Sequence, residues 1–117
     1  MVKQKVDDET LVLEKISDMA EPLRSMGERV HRLLMNNKPT LYPRLWYGIP
    51  VYAKEKSGPA VCFFRADKYM TFGLTEHANF SSEDGDEHRL LGSSWFFSEL
   101  DAATEKKLSQ IISKATA

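Results

Sequence analysis

The stretch Leu45-Trp46-Tyr47-Gly48-Ile49-Pro50-Val51-Tyr52 constrains this chain more than any other. Pro43 suits the first position of a helix, where its missing amide hydrogen is not needed. Gly48 suits the left-handed residue just past a helix end. Pro43–Tyr47 therefore predicts a short helix that turns directly into an extended, aromatic-rich strand. Helical periodicity lies before this point and extended segments lie after it.

Upstream, Val12, Ile16, Met19, Leu23, Met26, Val30 and Leu33 recur at alternating steps of four and three, a continuous apolar stripe. Pro22 interrupts it. Within a helix its ring would clash with the carbonyl of Asp18, whereas at a first helical turn it is harmless. The pattern predicts two helices, about Asp8–Ala20 and Pro22–Asn36, with Glu21 or Asp18 capping the second. Asn36-Asn37-Lys38-Pro39 stops the second helix.

Downstream, Ile49–Lys54 and Ala60–Ala66 flank the turn-rich Glu55-Lys56-Ser57-Gly58-Pro59 and predict a hairpin. Asp67-Lys68 turns the chain into a strand at Tyr69–Leu74. A long polar loop, Glu76–His88, precedes a fourth strand within Leu90–Ser98, centred on Trp95-Phe96-Phe97. Asp101 then caps a last helix with Leu108, Ile111 and Ile112 facing inward. Pro50 has no amide hydrogen to donate, so its strand should be an edge or should begin there. At 117 residues, this order predicts one α+β domain spanning 1–117. Its antiparallel sheet should have about four strands, with the N- and C-terminal helices packed on one face.

Lys+Arg 16 against Asp+Glu 17 gives a formal net charge of -1. That balance lacks the basic stripe with which proteins neutralise phosphates, so nucleic acid is not an expected partner. No window approaches the roughly 18 apolar residues that span a bilayer. The charged N-terminus lacks an apolar signal core, and Cys62 is the single cysteine. These features predict a cytoplasmic protein with no membrane partner.

Several segments carry a family resemblance: Ala20-Glu21-Pro22 with Met26-Gly27-Glu28-Arg29-Val30-His31, then Leu45 to Ala53, Val61-Cys62-Phe63-Phe64 and Tyr69-Met70-Thr71-Phe72-Gly73. From about Ala20 to the last helix, the chain resembles the YdhG-like family of small domains of unknown function. The resemblance implies an α+β domain. Some members of that family carry the label of frataxin-like iron chaperone, but no ligand motif comes with it that can be carried over to residues here.

Catalytic signatures are missing from the residue pattern. There is no G-x-S-x-G elbow, P-loop or dinucleotide fingerprint. Cys62, mid-strand between Val61 and Phe63, reads as a small buried hydrophobe rather than a nucleophile. His31 borders the apolar stripe and reads as a hydrogen-bonded boundary histidine. Among hard-cation candidates, Glu83, Asp84, Asp86, Glu87 and His88 form the most compact set, with His77 nearby. The plainer reading is a solvated charged loop. Iron would be the cofactor if any is bound, held there or by carboxylates of the first helix: Asp7, Asp8, Glu9, Glu14 and Asp18.

The aromatic residues are too many for one sheet face, and the helices cover only one. Trp46, Tyr47 and Tyr52, with Arg44 and Arg65 near them, are therefore the candidate ligand-binding residues. They suit a planar or anionic small molecule, or a second copy of the chain as in a homodimer. The expectation is a non-enzymatic cytoplasmic binding domain, with a small ligand or protein partner at the aromatic-rich sheet. The alternative is iron delivery through surface carboxylates.

Overall fold

The computed structural model describes residues 7–80, 85 and 87–117. Asp7 accepts a hydrogen bond from the Thr10 amide at 2.8 Å and so caps α1 (Asp8–Ser17). The chain then turns through Asp18–Pro22, and α2 (Leu23–Met35) begins immediately after Pro22. Glu21 holds its first turn, accepting from both the amide and the hydroxyl of Ser25. The two expected helices are therefore separate. Along α2 Val30 and Leu34 are fully buried, while Leu33 is only partly covered.

The segment expected to be a third helix is a strand. β1 (Tyr42–Trp46) pairs antiparallel with β2 (Ile49–Ala53), with Trp46 opposite Ile49. Only Tyr47 and Gly48 join them, at φ 49° and 76°. Two consecutive left-handed residues match the twist of paired strands, the geometry of a two-residue hairpin loop. Gly48 thus has the expected left-handed conformation but closes a hairpin rather than a helix. Pro43 is tolerated because β1 lies at the edge of the sheet. Pro50 is the second residue of β2, just ahead of the Val51–Phe63 pair where β3 joins.

β3 (Ala60–Ala66), β4 (Met70–Leu74) and β5 (Ser94–Phe97) complete a meander in the order β1-β2-β3-β4-β5, antiparallel throughout. Among the described residues the sheet has five strands, one more than the segment pattern suggested, because β1 replaces the short helix. Asp101 caps α3 (Ala102–Ala115) through the Thr104 amide at 2.9 Å. Arg29 of α2 donates to Glu105 of α3 at 2.7 Å, and Asn37 donates to Thr116 at 2.9 Å. Val12, Ile16, Val30, Leu34, Leu108 and Ile112 from the helices join Tyr52, Phe64, Met70 and Phe72 from the sheet in a single core. Helices α1, α2 and α3 therefore cover the same face. The fold is α+β, and among the described residues no helix lies over the opposite face of the sheet. Among the described residues, no helix is long and apolar enough to cross a membrane.

Candidate functional site

Successive strand residues face opposite sides of a sheet, so the pairing register sorts every side chain. Tyr52 lies opposite Cys62, and Phe64 opposite Phe72, on the helix-covered side. One residue along, Arg44, Val51, Phe63 and Gly73 form a cross-strand row on the uncovered side. Trp46 and Ile49 pair on that side as well, and Arg65, Thr71 and Phe96 make a further row.

The heights of these side chains create a groove. Val51 and Ile49 on β2 are short, whereas Arg44 and Trp46 on β1 and Phe63 and Arg65 on β3 are long. The tall residues stand as two walls above an aliphatic floor. Pro59, Ala60, Thr75, Glu76 and His77 line the end nearest the β2–β3 turn. The groove encloses about 610 Å³, a size that accommodates a metabolite. Its apolar lining is interrupted by two guanidinium groups, one from each wall. Among the described residues, neither Arg44 nor Arg65 has an ion-pair or hydrogen-bond partner.

Gly73 sets the width of the groove, although nothing in the residue pattern pointed to it. A β-carbon at Gly73 would collide with the tip of the Phe63 ring, with Cε1 at 2.6 Å. The tip of the Phe63 ring therefore rests over Gly73 of β4, and Val51 on the groove floor is only 4% exposed between its neighbours. The pairing of an aromatic with a glycine across strands was the available signal, and it needs the register to be seen.

Of the five candidate ligand-binding residues, the structure brings Arg44, Trp46 and Arg65 together. Trp46 is 60% exposed on the groove wall. Tyr47 stands edge-on to Trp46, with ring centroids 4.8 Å apart. It lines a neighbouring hollow of about 450 Å³ with Lys15 and Asp18, which shares Ile49 and Arg65 with the groove.

Tyr52 does not belong to the site. It is fully buried on the helix side, stacked on Phe64 with ring centroids 6.0 Å apart. Strand alternation places it there, one residue from Val51. Its hydroxyl lies 2.6 Å from His31 Nδ1, and His31 Nε2 lies 3.3 Å from a Glu9 carboxylate oxygen. The carboxylate accepts, so Nε2 carries the proton and donates, and Nδ1 accepts from the Tyr52 hydroxyl. Burial lowers the His31 pKa, opposed by the Glu9 hydrogen bond and charge, and it raises that of Tyr52. His31 is thus the hydrogen-bonded histidine its position suggested.

Cys62 is fully buried, and desolvation pushes its thiol up to about 12. The protonated thiol lacks nucleophilic character. Among the metal candidates, Glu83, Asp84 and Asp86 lie outside the described residues. Glu87 and His88 are exposed, and His88 Nδ1 accepts from the Leu90 amide at 3.1 Å. On the first helix, Asp7 serves as the cap and Glu9 faces His31. Among the described residues, no three His, Cys, Asp or Glu side chains converge as a metal site.

No family model, curated protein or solved structure matches the chain.

Proposed function

We propose that this protein is a non-enzymatic binding domain of the cytoplasm that holds a small anionic ligand in the groove on the uncovered face of its sheet. One observation carries the reading. Arg44 and Arg65 come from opposite walls of an apolar groove, and neither has a carboxylate partner among the described residues. Arg65 is exposed and Arg44 half-buried, so both guanidinium groups are within reach of a ligand, and a carboxylate or phosphate set over the apolar lining can take charge-assisted hydrogen bonds from them. The two groups best suited to chemistry are already engaged: His31 between Glu9 and Tyr52, and Cys62 as a protonated thiol in the core. On its sequence, the chain is also read as a YdhG-like domain, an assignment that supports the fold and names no ligand.

Thermal shift against a panel of carboxylates, phosphates, nucleotides and ferrous iron tests this reading. A ligand at ten times its Kd adds about 1.4 kcal/mol and raises Tm by roughly 5 °C. The expected result is such a rise with an organic anion, lost in the Arg44→Gln/Arg65→Gln variant. A rise with ferrous iron alone, lost when Glu83, Asp84, Asp86 and Glu87 become amides, would favour iron delivery instead.

A further inference from the structure

We infer that the groove is built for an amphipathic monoanion, its acid group between Arg44 and Arg65 and its apolar body along Val51 toward Pro59 and Ala60. This inference rests on the proposed binding role and goes further in naming the ligand class. Arg44 lies in the Val51 row on β1, and Arg65 lies two residues beyond Phe63 on β3. The two therefore stand diagonally across β2, and the space between their head groups lies over the middle of that strand. From there the floor and walls running toward the β2–β3 turn are Val51, Phe63, Pro59 and Ala60. That path covers two to three residues of extended chain, about 7–10 Å. It suits a phenyl group or a short alkyl chain.

The far end argues against a second acid. Among the described residues it is lined by no arginine or lysine, and its exposed Glu76 carboxylate, 4.0 Å from His77 Nε2, adds a weak, solvent-screened repulsion to a second anionic group. The apolar lining argues against a purely polar anion, because covering the accessible surface of Trp46, Ile49 and Phe63 contributes affinity only if the ligand has apolar surface. Gly73 completes the selection. Without a side chain there, the tip of the Phe63 ring rests over β4. A β-carbon at residue 73 pushes the ring up or back over the floor.

Isothermal titration of the full chain with butyrate, hexanoate, 4-phenylbutyrate, succinate and inorganic phosphate tests the assignment. Affinity is expected to rise by roughly two- to fourfold per methylene from butyrate to hexanoate. Arg44→Gln and Arg65→Gln should each weaken hexanoate by about tenfold or more. Gly73→Ala should weaken it as well, and adding Phe63→Leu to that variant should restore binding by removing the obstructing ring. Melting curves confirm that each variant is folded.

Succinate or phosphate binding as tightly as hexanoate, still dependent on the arginines, would overturn the amphipathic class and leave the groove as an anion site. Hexanoate binding indifferent to both arginines would overturn the inference and the proposed site together. So would no binding by any probe. Sedimentation as a dimer that the arginine variants dissociate would assign the face to a second copy and overturn the small ligand.

Discussion

His31 and Tyr52, 21 residues apart in sequence, meet through a 2.6 Å hydrogen bond inside the core, joining α2 to β2. Glu9 of α1 lies on the other ring nitrogen, so one imidazole connects three elements. Tyr52→Phe removes the donor to Nδ1 and leaves a buried acceptor without a partner. A loss of about 1–3 kcal/mol is expected in chemical denaturation. An unchanged midpoint would mean that the bond adds nothing to stability.

The same network gives stability a defined pH dependence. Desolvation lowers the folded-state pKa of His31 below its ordinary 6.5, so the unfolded chain takes up the proton more readily. Stability is then fully present above about pH 6.5 and falls as pH drops toward the lowered folded value. Protonation also costs Nδ1 its role as acceptor from Tyr52. Thermal melts between pH 7.5 and 5 should show falling Tm, with a flatter slope in His31→Gln. Asp7, Glu21 and Asp101 also have lowered values, each from hydrogen bonds at a helix start. Their contributions are present above about pH 4.5 and are lost at more acidic pH, which separates them from His31.

Tyr47 and Gly48 make the β1–β2 turn with positive φ at both positions. Gly48→Ala should cost on the order of 1 kcal/mol, since a β-carbon is penalised there. Tyr47→Asn should stabilise, because asparagine before glycine is the preferred pair in this loop. Denaturant midpoints of the two variants should therefore move in opposite directions. Equal losses would contradict the turn assignment.

This turn also shows where residue pattern stops being informative. Both N-terminal helices, the β2–β3 hairpin and the Asp101 cap were legible, because periodicity and capping are local properties. β1 was not. Proline and glycine bracket it as they bracket a short helix, and the loop uses tyrosine where asparagine usually signals a hairpin. Arg44, Trp46 and Arg65 were legible as candidates from their type and neighbourhood. Tyr52 was misplaced because deciding its face requires the register, and one residue of register reverses every side chain. Gly73 was missed for the same reason: its meaning depends on Phe63 lying opposite.

Cys62, opposite Tyr52 in the core, should be chemically silent. A thiol pushed up to about 12 holds a negligible thiolate fraction at neutral pH. Labelling with a disulfide reagent should be slow in the folded protein and at least a hundredfold faster in denaturant, where the thiol becomes accessible. Rapid labelling of the native state would place Cys62 in an open, reactive setting and reopen nucleophilic catalysis.

The central claim is that the uncovered sheet face, and not a helix surface or the acidic loop, is where this protein binds. Amide chemical-shift mapping during a hexanoate titration tests it most directly, because every element reports at once. The account predicts saturable shifts concentrated at Arg44, Val51, Phe63 and Arg65, with the Trp46 indole signal moving alongside them. Shifts centred on α1 or α3 with the groove residues unmoved, or no saturable shifts at any residue, would contradict it.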